Sequence, residues 1–468
     1  MSGRIVLAGS ASNVGKTTLT VGVIAALRRQ MLAIQPFKVG PDYIDPTYHT
    51  LAAGVPSRNL DSWLVPHNRL RTCFVHAVRN ADLAIIEGMM GLYDGQDYRG
   101  EAASTAEVAK LLDTPVIVIL DVSAQARSAA ATALGFQQLD PTLPVAGFLC
   151  NHTGGPGHYR GVKAAIENAT GLPVFGGIPQ TDAVVIPERH LGLTPTGERG
   201  NLQTLVDALA DLVTEHCDID ALLVLARAAP PLAVAAGDTP LMTEPYTVTR
   251  SGSRPIIAVA RDQAFSFYYE DNLDLLRLAG AEIVPFSPLE NAHLPDGTAG
   301  LYIGGGFPEV YAAALAAHGT LRQEIHDAVI GGLPCYAECG GLMYLTEALV
   351  DSAGIRYPMV GLLPGHTMMT ERWPKLGYTT VRALRDTLLL RSGEEARGHE
   401  FHSSTWESAS ADTPHAYTVH DARGEHREGF ARGNLLASYV HLHFWSMPAL
   451  AARFVRESAE YQALSSEE

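Results

Sequence analysis

Ten residues near the start of the chain, Gly9-Ser10-Ala11-Ser12-Asn13-Val14-Gly15-Lys16-Thr17-Thr18, follow a short apolar run and precede a helix-forming one. A glycine-containing loop at a strand-to-helix junction turns its backbone N–H groups, and the N-terminus of the helix, toward phosphate oxygens. Lys16 is placed to reach the outer phosphates and Thr17 to ligate magnesium, so Ser12, Asn13, Val14, Gly15, Lys16, Thr17 and Thr18 read as a nucleotide-phosphate site. The spacing departs from the common pattern: Ser10 stands where a glycine is usual, and Gly9 comes one residue earlier. The loop points to a nucleotide without saying what the nucleotide is used for.

Three further segments can complete that chemistry. The run Gln35-Pro36-Phe37-Lys38-Val39-Gly40-Pro41-Asp42-Tyr43-Ile44-Asp45-Pro46 leaves a strand end where a phosphate loop presents its ligand. Lys38 can hold a phosphoryl group in transit, and Asp42 or Asp45 can hold magnesium or orient an acceptor; the plain alternative is a solvated loop with turn prolines. Leu83-Ala84-Ile85-Ile86-Glu87-Gly88 ends in an acid where a Walker-B-like carboxylate belongs, which makes Glu87 a candidate magnesium ligand, with a helix cap as the structural alternative. Beyond it, Asp94 in Gly91-Leu92-Tyr93-Asp94-Gly95 can approach a substrate or simply close a turn. Asn151 ends another apolar run and is placed to meet a base edge or to act as a cap.

A different chemistry is written in the second half. Leu333–Glu338 runs into Cys339-Gly340-Gly341, a turn of small residues after a strand and before a helix. Such an elbow projects a thiol, and a helix N-terminus is expected to lower its pKa. Cys339 is therefore the candidate nucleophile, while Cys335 reads as core. The run Leu435 to Phe444 reads as one strand whose alternation puts His441 and His443 on the same face, either able to act as the base a cysteine nucleophile requires. Gly304-Gly305-Gly306-Phe307-Pro308-Glu309 follows another strand, and the Gly306 and Gly340 N–H groups can serve as an oxyanion site.

The elements that must position these residues alternate. Arg4–Ala8, a helix from Lys16 to about Arg29, Leu32–Phe37, Leu83–Glu87, Val116–Asp121, Val145–Asn151 and Val174–Ile178 follow a βα period, and the continuous Val/Ile/Leu strands imply a parallel sheet covered on both faces. A second alternation begins at Ile256–Ala260 and continues through a helix near Asn272–Ala279 and strands at Glu282–Phe286 and Gly300–Ile303. The expected organisation is an ATP-binding domain over 1–228, a linker over 229–253, a second α/β domain over 254–450 and a tail over 451–468. With 468 residues, 47% of them hydrophobic, both domains can bury substantial cores. The net charge of −16 disfavours nucleic acid as a partner. Five scattered cysteines without metal-ligand spacing fit a reduced protein with neither disulfide nor zinc, and the expected setting is cytoplasmic, without a membrane span.

Taken together, these blocks resemble the cobyrinic acid a,c-diamide synthases, including those acting on hydrogenobyrinic acid. Besides the segments above, Arg58-Asn59-Leu60-Asp61, Ile186-Pro187-Glu188-Arg189-His190, Gly398-His399-Glu400-Phe401-His402-Ser403 and Ser438–Phe444 carry the likeness, which is nearly full length. The first domain is similar to that of dethiobiotin synthetase, whose phosphate loop shares the longer glycine spacing; the C-terminal one resembles a class I glutamine amidotransferase of the cobyrinate and cobyrate type. The resemblance implies that a substrate carboxylate attacks ATP to give an acyl phosphate, while Cys339, assisted by His441, hydrolyses L-glutamine to ammonia, which displaces phosphate. It further implies a corrinoid tetrapyrrole acid as substrate, near Asp42, Tyr43, Ile44, Asp45 and Asp94, magnesium on Thr17, Asp42 and Glu87, and ATP on the loop with Lys38 and Asn151. A homodimer is one assembly it allows.

One position departs from the amidotransferase pattern. Many of those enzymes carry a glutamate two residues after the histidine, and this chain has His443 there, so the residue that orients His441 is absent, weak, or replaced by Glu400 or a backbone carbonyl. Two rivals share parts of the pattern. A nickel-sirohydrochlorin a,c-diamide synthase shares essentially every motif, and a P-loop switch or partition ATPase with a non-catalytic second domain shares the first half, although Ala11 stands where such ATPases carry an extra lysine.

Overall fold

The computed structural model describes residues 3–181, 188–189, 192–193, 202–232, 254–370, 375–410 and 412–465. Most of the expected linker, the end of the tail, and the Ile186–His190 block apart from the backbone of Glu188 and Arg189 lie outside the described residues. The chain divides into two compact units, Met1–Thr239 and Pro240–Glu468.

In the first unit, β1 (Gly3–Gly9), β2 (Ile34–Val39), β3 (Arg58–Leu60), β4 (Leu83–Gly91), β5 (Val116–Asp121), β6 (Val145–Thr153) and β7 (Val174–Pro179) form one sheet in the order β3-β2-β4-β1-β5-β6-β7. Every pairing is parallel. Strands such as β5, Val-Ile-Val-Ile-Leu, are buried on both faces because helices cover the sheet, which is why they are apolar throughout instead of alternating. Strand β1 sits at the centre with β4 on one side and β5 on the other, so the chain reverses its winding beside the loop that β1 feeds. The helix Lys16–Arg29 packs its apolar residues Leu19, Val23, Ile24 and Leu27 into the core against β1 and the helix Gln203–His216. A short hairpin, β8 (Glu188–Arg189) with β9 (Gly192–Leu193), follows.

The second unit is built on β10 (Ile256–Ala260), β11 (Glu282–Phe286), β12 (Thr298–Ile303) and β13 (Cys335–Glu338), all parallel. Beside them stand two further sheets that the alternation did not predict. One contains β14 (Thr346–Val350), β15 (Arg356–Pro358), β16 (Leu363–Met369) and β19 (Ser404–Glu407); the other contains β17 (Lys375–Ala383), β18 (Glu395–His402), β20 (Tyr417–Asp421), β21 (Gly424–Glu428) and β24 (His441–Leu442). Strands β22 (Phe430–Arg432) and β23 (Leu435–Ser438) form a hairpin that extends the main sheet to the order β11-β10-β12-β13-β23-β22.

The single strand expected over Leu435 to Phe444 is broken. Strand β23 pairs with β13, Glu338 opposite Ser438, whereas β24 pairs antiparallel with β18, His399 opposite His441. The break is made by Glu428, whose carboxylate accepts from Ser438 Oγ at 2.5 Å and from the Tyr439 N–H at 2.7 Å, while Ser438 Oγ accepts the Val440 N–H at 3.0 Å. Backbone donors that would have extended the ladder are satisfied by side chains instead. Alternation therefore does not carry through to His443, which caps the short 3-10 helix Phe444–Ser446.

Candidate functional site

At the carboxyl edge of the first sheet, β1 enters the glycine loop and then the helix Lys16–Arg29. Asn13 (φ 60°) and Gly15 (φ 87°) hold left-handed backbone. At Gly15 a side chain is also excluded by space, since a Cβ would lie 2.2 Å from Asn151 Nδ2. Asn151 donates from that nitrogen to Val14 O at 3.0 Å, so it braces the loop from β6. Lys16 bends back over the loop, its Nζ donating to Ala11 O at 2.9 Å. Burial, and then the charge of Lys38, lowers its pKa to about 8.

Register places Lys38 of β2 directly across from Glu87 of β4. Their side chains meet at 2.6 Å, and Lys38 Nζ also lies 2.5 Å from Asp45 Oδ2 and 3.8 Å from Asp42 Oδ2. Thr17 Oγ1 donates to Glu87 Oε1 at 2.8 Å and lies 3.3 Å from Asp45 Oδ2. The second Glu87 oxygen meets His49 Nε2 at 2.5 Å. A hydroxyl, an ammonium, an imidazole and two carboxylates thus converge beside the phosphate loop. Burial alone would raise the Glu87 carboxyl, but Lys38 and His49 outweigh it and hold the group well below the usual carboxylate range. Burial likewise opposes the Lys38 charge, yet Asp45, Glu87 and Asp42 push it above the ordinary lysine value.

Asp42 and Asp45, either of which could from sequence hold magnesium or orient an acceptor, are held differently. Asp42 Oδ1 accepts the N–H groups of Ile44 and Asp45 at 2.8 and 3.2 Å, closing the turn into the helix Asp45–Ala53. Burial and then the neighbouring Asp45 raise its carboxyl to about 7 in spite of Lys38. Of the two aspartates, Asp45 is the one that reaches Thr17, alongside Glu87. Tyr43 and Ile44 are buried, which leaves Asp42 and Asp45 as the partly exposed members of that run. Asp94 accepts the Gly91 N–H at 2.8 Å, the turn alternative, while remaining near enough to act on the Lys16 charge. His49 carried no sequence signal; only the fold brings it to Glu87.

In the second unit Cys339 follows β13 and opens the helix Gly340–Leu345 with φ 48° and ψ −102°, a strained elbow. Its thiol is buried and donates to Phe401 O at 3.7 Å. Burial, and then Glu309, pushes the thiol above its ordinary value, with the Gly340 N–H working against them. This corrects the expectation of a thiol depressed by the helix N-terminus: a base is needed to generate the thiolate. The turn Gly304–Gly306 lies against the elbow, because a Cβ on Gly340 would come 3.0 Å from Gly306 N. His441 is fully buried against the same turn; a Cβ on Gly305 would sit 2.5 Å from its Cε1, so only glycine admits the ring.

Glu400, offered from sequence to orient His441, and His443, offered as an alternative base, both engage other partners. Glu400 pairs with Lys375 at 2.7 Å and lies 3.7 Å from His402 Nε2. His443 accepts the Trp445 N–H on Nδ1, and burial lowers its pKa to about 3, which keeps it neutral. The carboxylate at His441 is instead Glu338, whose Oε2 lies 3.7 Å from His441 Nδ1. The signal for it was an acid at the end of a buried strand, directly before Cys339.

Residues 5–193 match the CobQ/CobB/MinD/ParA nucleotide binding domain, and residues 256–449 match the CobB/CobQ-like glutamine amidotransferase domain. A P-loop unit and a cysteine-elbow amidotransferase unit in one chain define an ATP-dependent, glutamine-hydrolysing amidoligase. The chain is 44% identical over 468 residues to cobyrinate a,c-diamide synthase from Dehalococcoides mccartyi, spanning 98% of this chain and 99% of that one. With the enzyme of the same name from Priestia megaterium it shares 43% identity over 454 residues, 97% and 96% of the two chains. The chain belongs to the cobyrinate a,c-diamide synthase family. Among solved structures, PurLQS from Thermotoga maritima shares 14% identity at a TM-score of 0.32, covering 46% of this chain and 100% of that one. No helix among the described residues is long and apolar enough to cross a membrane.

Proposed function

We propose that this protein amidates the a and c carboxylates of cobyrinic or hydrogenobyrinic acid, using ATP to activate each carboxylate and glutamine as the nitrogen source. The observation that carries the reading is the pairing of the Thr17–Lys38–Asp45–Glu87 cluster at a phosphate loop with a buried Cys339 elbow in the same chain. A carboxylate resists attack by an amine because it is anionic and lacks a leaving group. Phosphorylation by ATP supplies that group, and Lys16 and Lys38 hold the charge that develops on the transferred phosphoryl. Glutamine hydrolysis at Cys339 and His441, with the Gly306 and Gly340 N–H groups facing the oxyanion, releases the ammonia that displaces phosphate. Magnesium fits the oxygen donors that converge at Thr17, Glu87 and Asp45, and when bound would neutralise phosphate charge. We place the synthetase part in 1–228 and the amidotransferase part in 254–450.

The test offers cobyrinic acid, hydrogenobyrinic acid and nickel sirohydrochlorin, each with ATP, magnesium and glutamine, and weighs the products by mass spectrometry. Diamides of the corrin acids are expected. A diamide formed from nickel sirohydrochlorin alone would replace this substrate assignment, and ATP hydrolysis with no amide from any acid would remove it.

The Lys16 environment gives a second expected result. With a pKa of about 8, Lys16 is charged below that pH and neutral above it, and polyphosphate binds the charged form. ADP affinity should hold steady up to about pH 8 and weaken above it, by roughly tenfold per unit at the limit. Calorimetric titration between pH 7 and 9.5 reads this directly. Lys16→Arg, which keeps its proton, should flatten the dependence, and a flat wild-type profile would exclude Lys16 as the titrating group.

A further inference from the structure

We infer that Glu338 is the positioning residue for His441, holding its Nδ1 so that Nε2 is the nitrogen turned to the Cys339 thiol. The inference rests on reading Cys339 and His441 as the glutaminase pair. Glu338 is 1% exposed, and its oxygens are fixed from three directions. Oε1 accepts from Tyr336 OH at 2.5 Å and from the Leu442 N–H at 3.0 Å; Oε2 accepts from Tyr302 OH at 3.0 Å and faces His441 Nδ1 at 3.7 Å.

That arrangement joins the nucleophile and the base through one side chain. Glu338 precedes Cys339 in β13, and the N–H it binds belongs to the residue after His441. Asn272 holds Leu442 from the other side, its Nδ2 donating to Leu442 O at 2.8 Å. Among the groups against His441 are Glu338 from β13 and His399 from β18, whose ring stacks on it at 5.0 Å and whose Nδ1 meets Tyr269 OH at 3.1 Å. Of these, Glu338 is the carboxylate at the ring. A separation of 3.7 Å exceeds a hydrogen bond, and catalytic hydrogen bonds in substrate-free enzymes commonly tighten only when substrate binds.

With Nδ1–H directed at Glu338, the Nε2 lone pair receives the Cys339 proton as Sγ bonds to the glutamine amide carbon. The imidazolium then returns that proton to the departing ammonia as the C–N bond breaks and the thioester forms. Glu338 stabilises the imidazolium, the part a carboxylate plays beside the histidine of a hydrolase triad.

The experiment compares full-length wild type, Glu338→Gln, Tyr336→Phe and Cys339→Ala in glutamine hydrolysis across pH, and in amidation driven by ammonia. Glu338→Gln is expected to lower the glutaminase kcat by roughly 100-fold with little change in KM. Its glutaminase pH profile should differ from that of the wild type, because the carboxylate beside the His441 ring is gone. Ammonia-driven amidation should persist. Tyr336→Phe disturbs the same buried cluster but keeps the carboxylate, and should retain the wild-type pH profile. If Cys339→Ala is inactive with glutamine while Glu338→Gln keeps wild-type kcat and pH profile, the Glu338 inference falls and the glutaminase reading stands. Equal losses in Glu338→Gln and Tyr336→Phe with unmoved profiles would assign the effect to packing and overturn the inference. Glutamine hydrolysis by Cys339→Ala would overturn the parent reading itself.

Discussion

Cys339→Ala is expected to lower glutamine-driven amidation by roughly 10³-fold or more while leaving the ammonia-driven rate unchanged. The substitution removes one sulfur atom and little else. Cys339 holds φ 48°, and alanine meets the same backbone strain there as cysteine, so the elbow gains no new penalty. The Cys339 N–H donates to Ser438 O at 2.7 Å, which ties the turn to β23 whatever the side chain. What disappears is the atom that forms the thioester, and neither histidine nor the glycine amides can replace it. Cys335, four residues earlier in β13, is fully buried, and burial pushes its thiol well above the ordinary value. Cys335→Ala should therefore cost stability by leaving a small cavity but spare glutamine hydrolysis. Glutamate release and amide formation, measured separately for both variants with each nitrogen source, decide the matter. Loss of the ammonia-driven rate in Cys339→Ala would mean that the residue serves both reactions or the fold.

The same elbow shows what the residues disclosed and where they stopped. Strands buried on both faces were legible because nothing but a continuous apolar run survives there, and Val116–Asp121 and Ile256–Ala260 are observed with the expected bounds; Glu282–Phe286, also at its expected bounds, is an edge strand with Glu282 and Pro285 exposed. The helix Lys16–Arg29 was legible from the glycine loop that precedes it and the helix-forming run that follows. Strands such as Lys375–Ala383 were not, because half their residues face outward and their pairing is antiparallel between segments far apart in sequence. The break after Ser438 was hidden for a related reason: it depends on Glu428, ten residues upstream, offering its carboxylate to backbone and hydroxyl donors. Once the strand breaks, periodicity loses its meaning, and the pairing of His441 with His443 on one face goes with it. Roles that depend on motif type, at Lys16 or Cys339, survive as readings; roles that depend on direction do not. Asp42 and Asp45 differ by three positions in one loop, and only the turn made by Asp42 decides which of them reaches Thr17.

Glu87→Gln should depress amidation with glutamine and with ammonia alike, by roughly 10²- to 10³-fold. Glu87 touches Thr17, Lys38 and His49 at once, so its charge is the common partner of the whole cluster. The amide cannot accept at both positions: its NH2 either faces the Lys38 ammonium, donor against donor, or faces His49 and requires that ring to accept on Nε2. Lys38 would keep Asp45 at 2.5 Å and so remain charged, but it would be drawn from the Glu87 side of the site toward the Asp45 side. A phosphoryl group positioned by that ammonium would then be misplaced, and displacements of this kind weaken reactions that rely on alignment and fixed charge. Breaking a buried pair also costs stability, on the order of 3–5 kcal/mol, so a thermal midpoint and an ADP titration belong beside the rate measurement. A folded variant that still binds ADP yet amidates poorly with both nitrogen sources places Glu87 in carboxylate activation. An undiminished ammonia-driven rate would remove Glu87 from that step and leave it as a strut between β4 and the helix Asp45–Ala53.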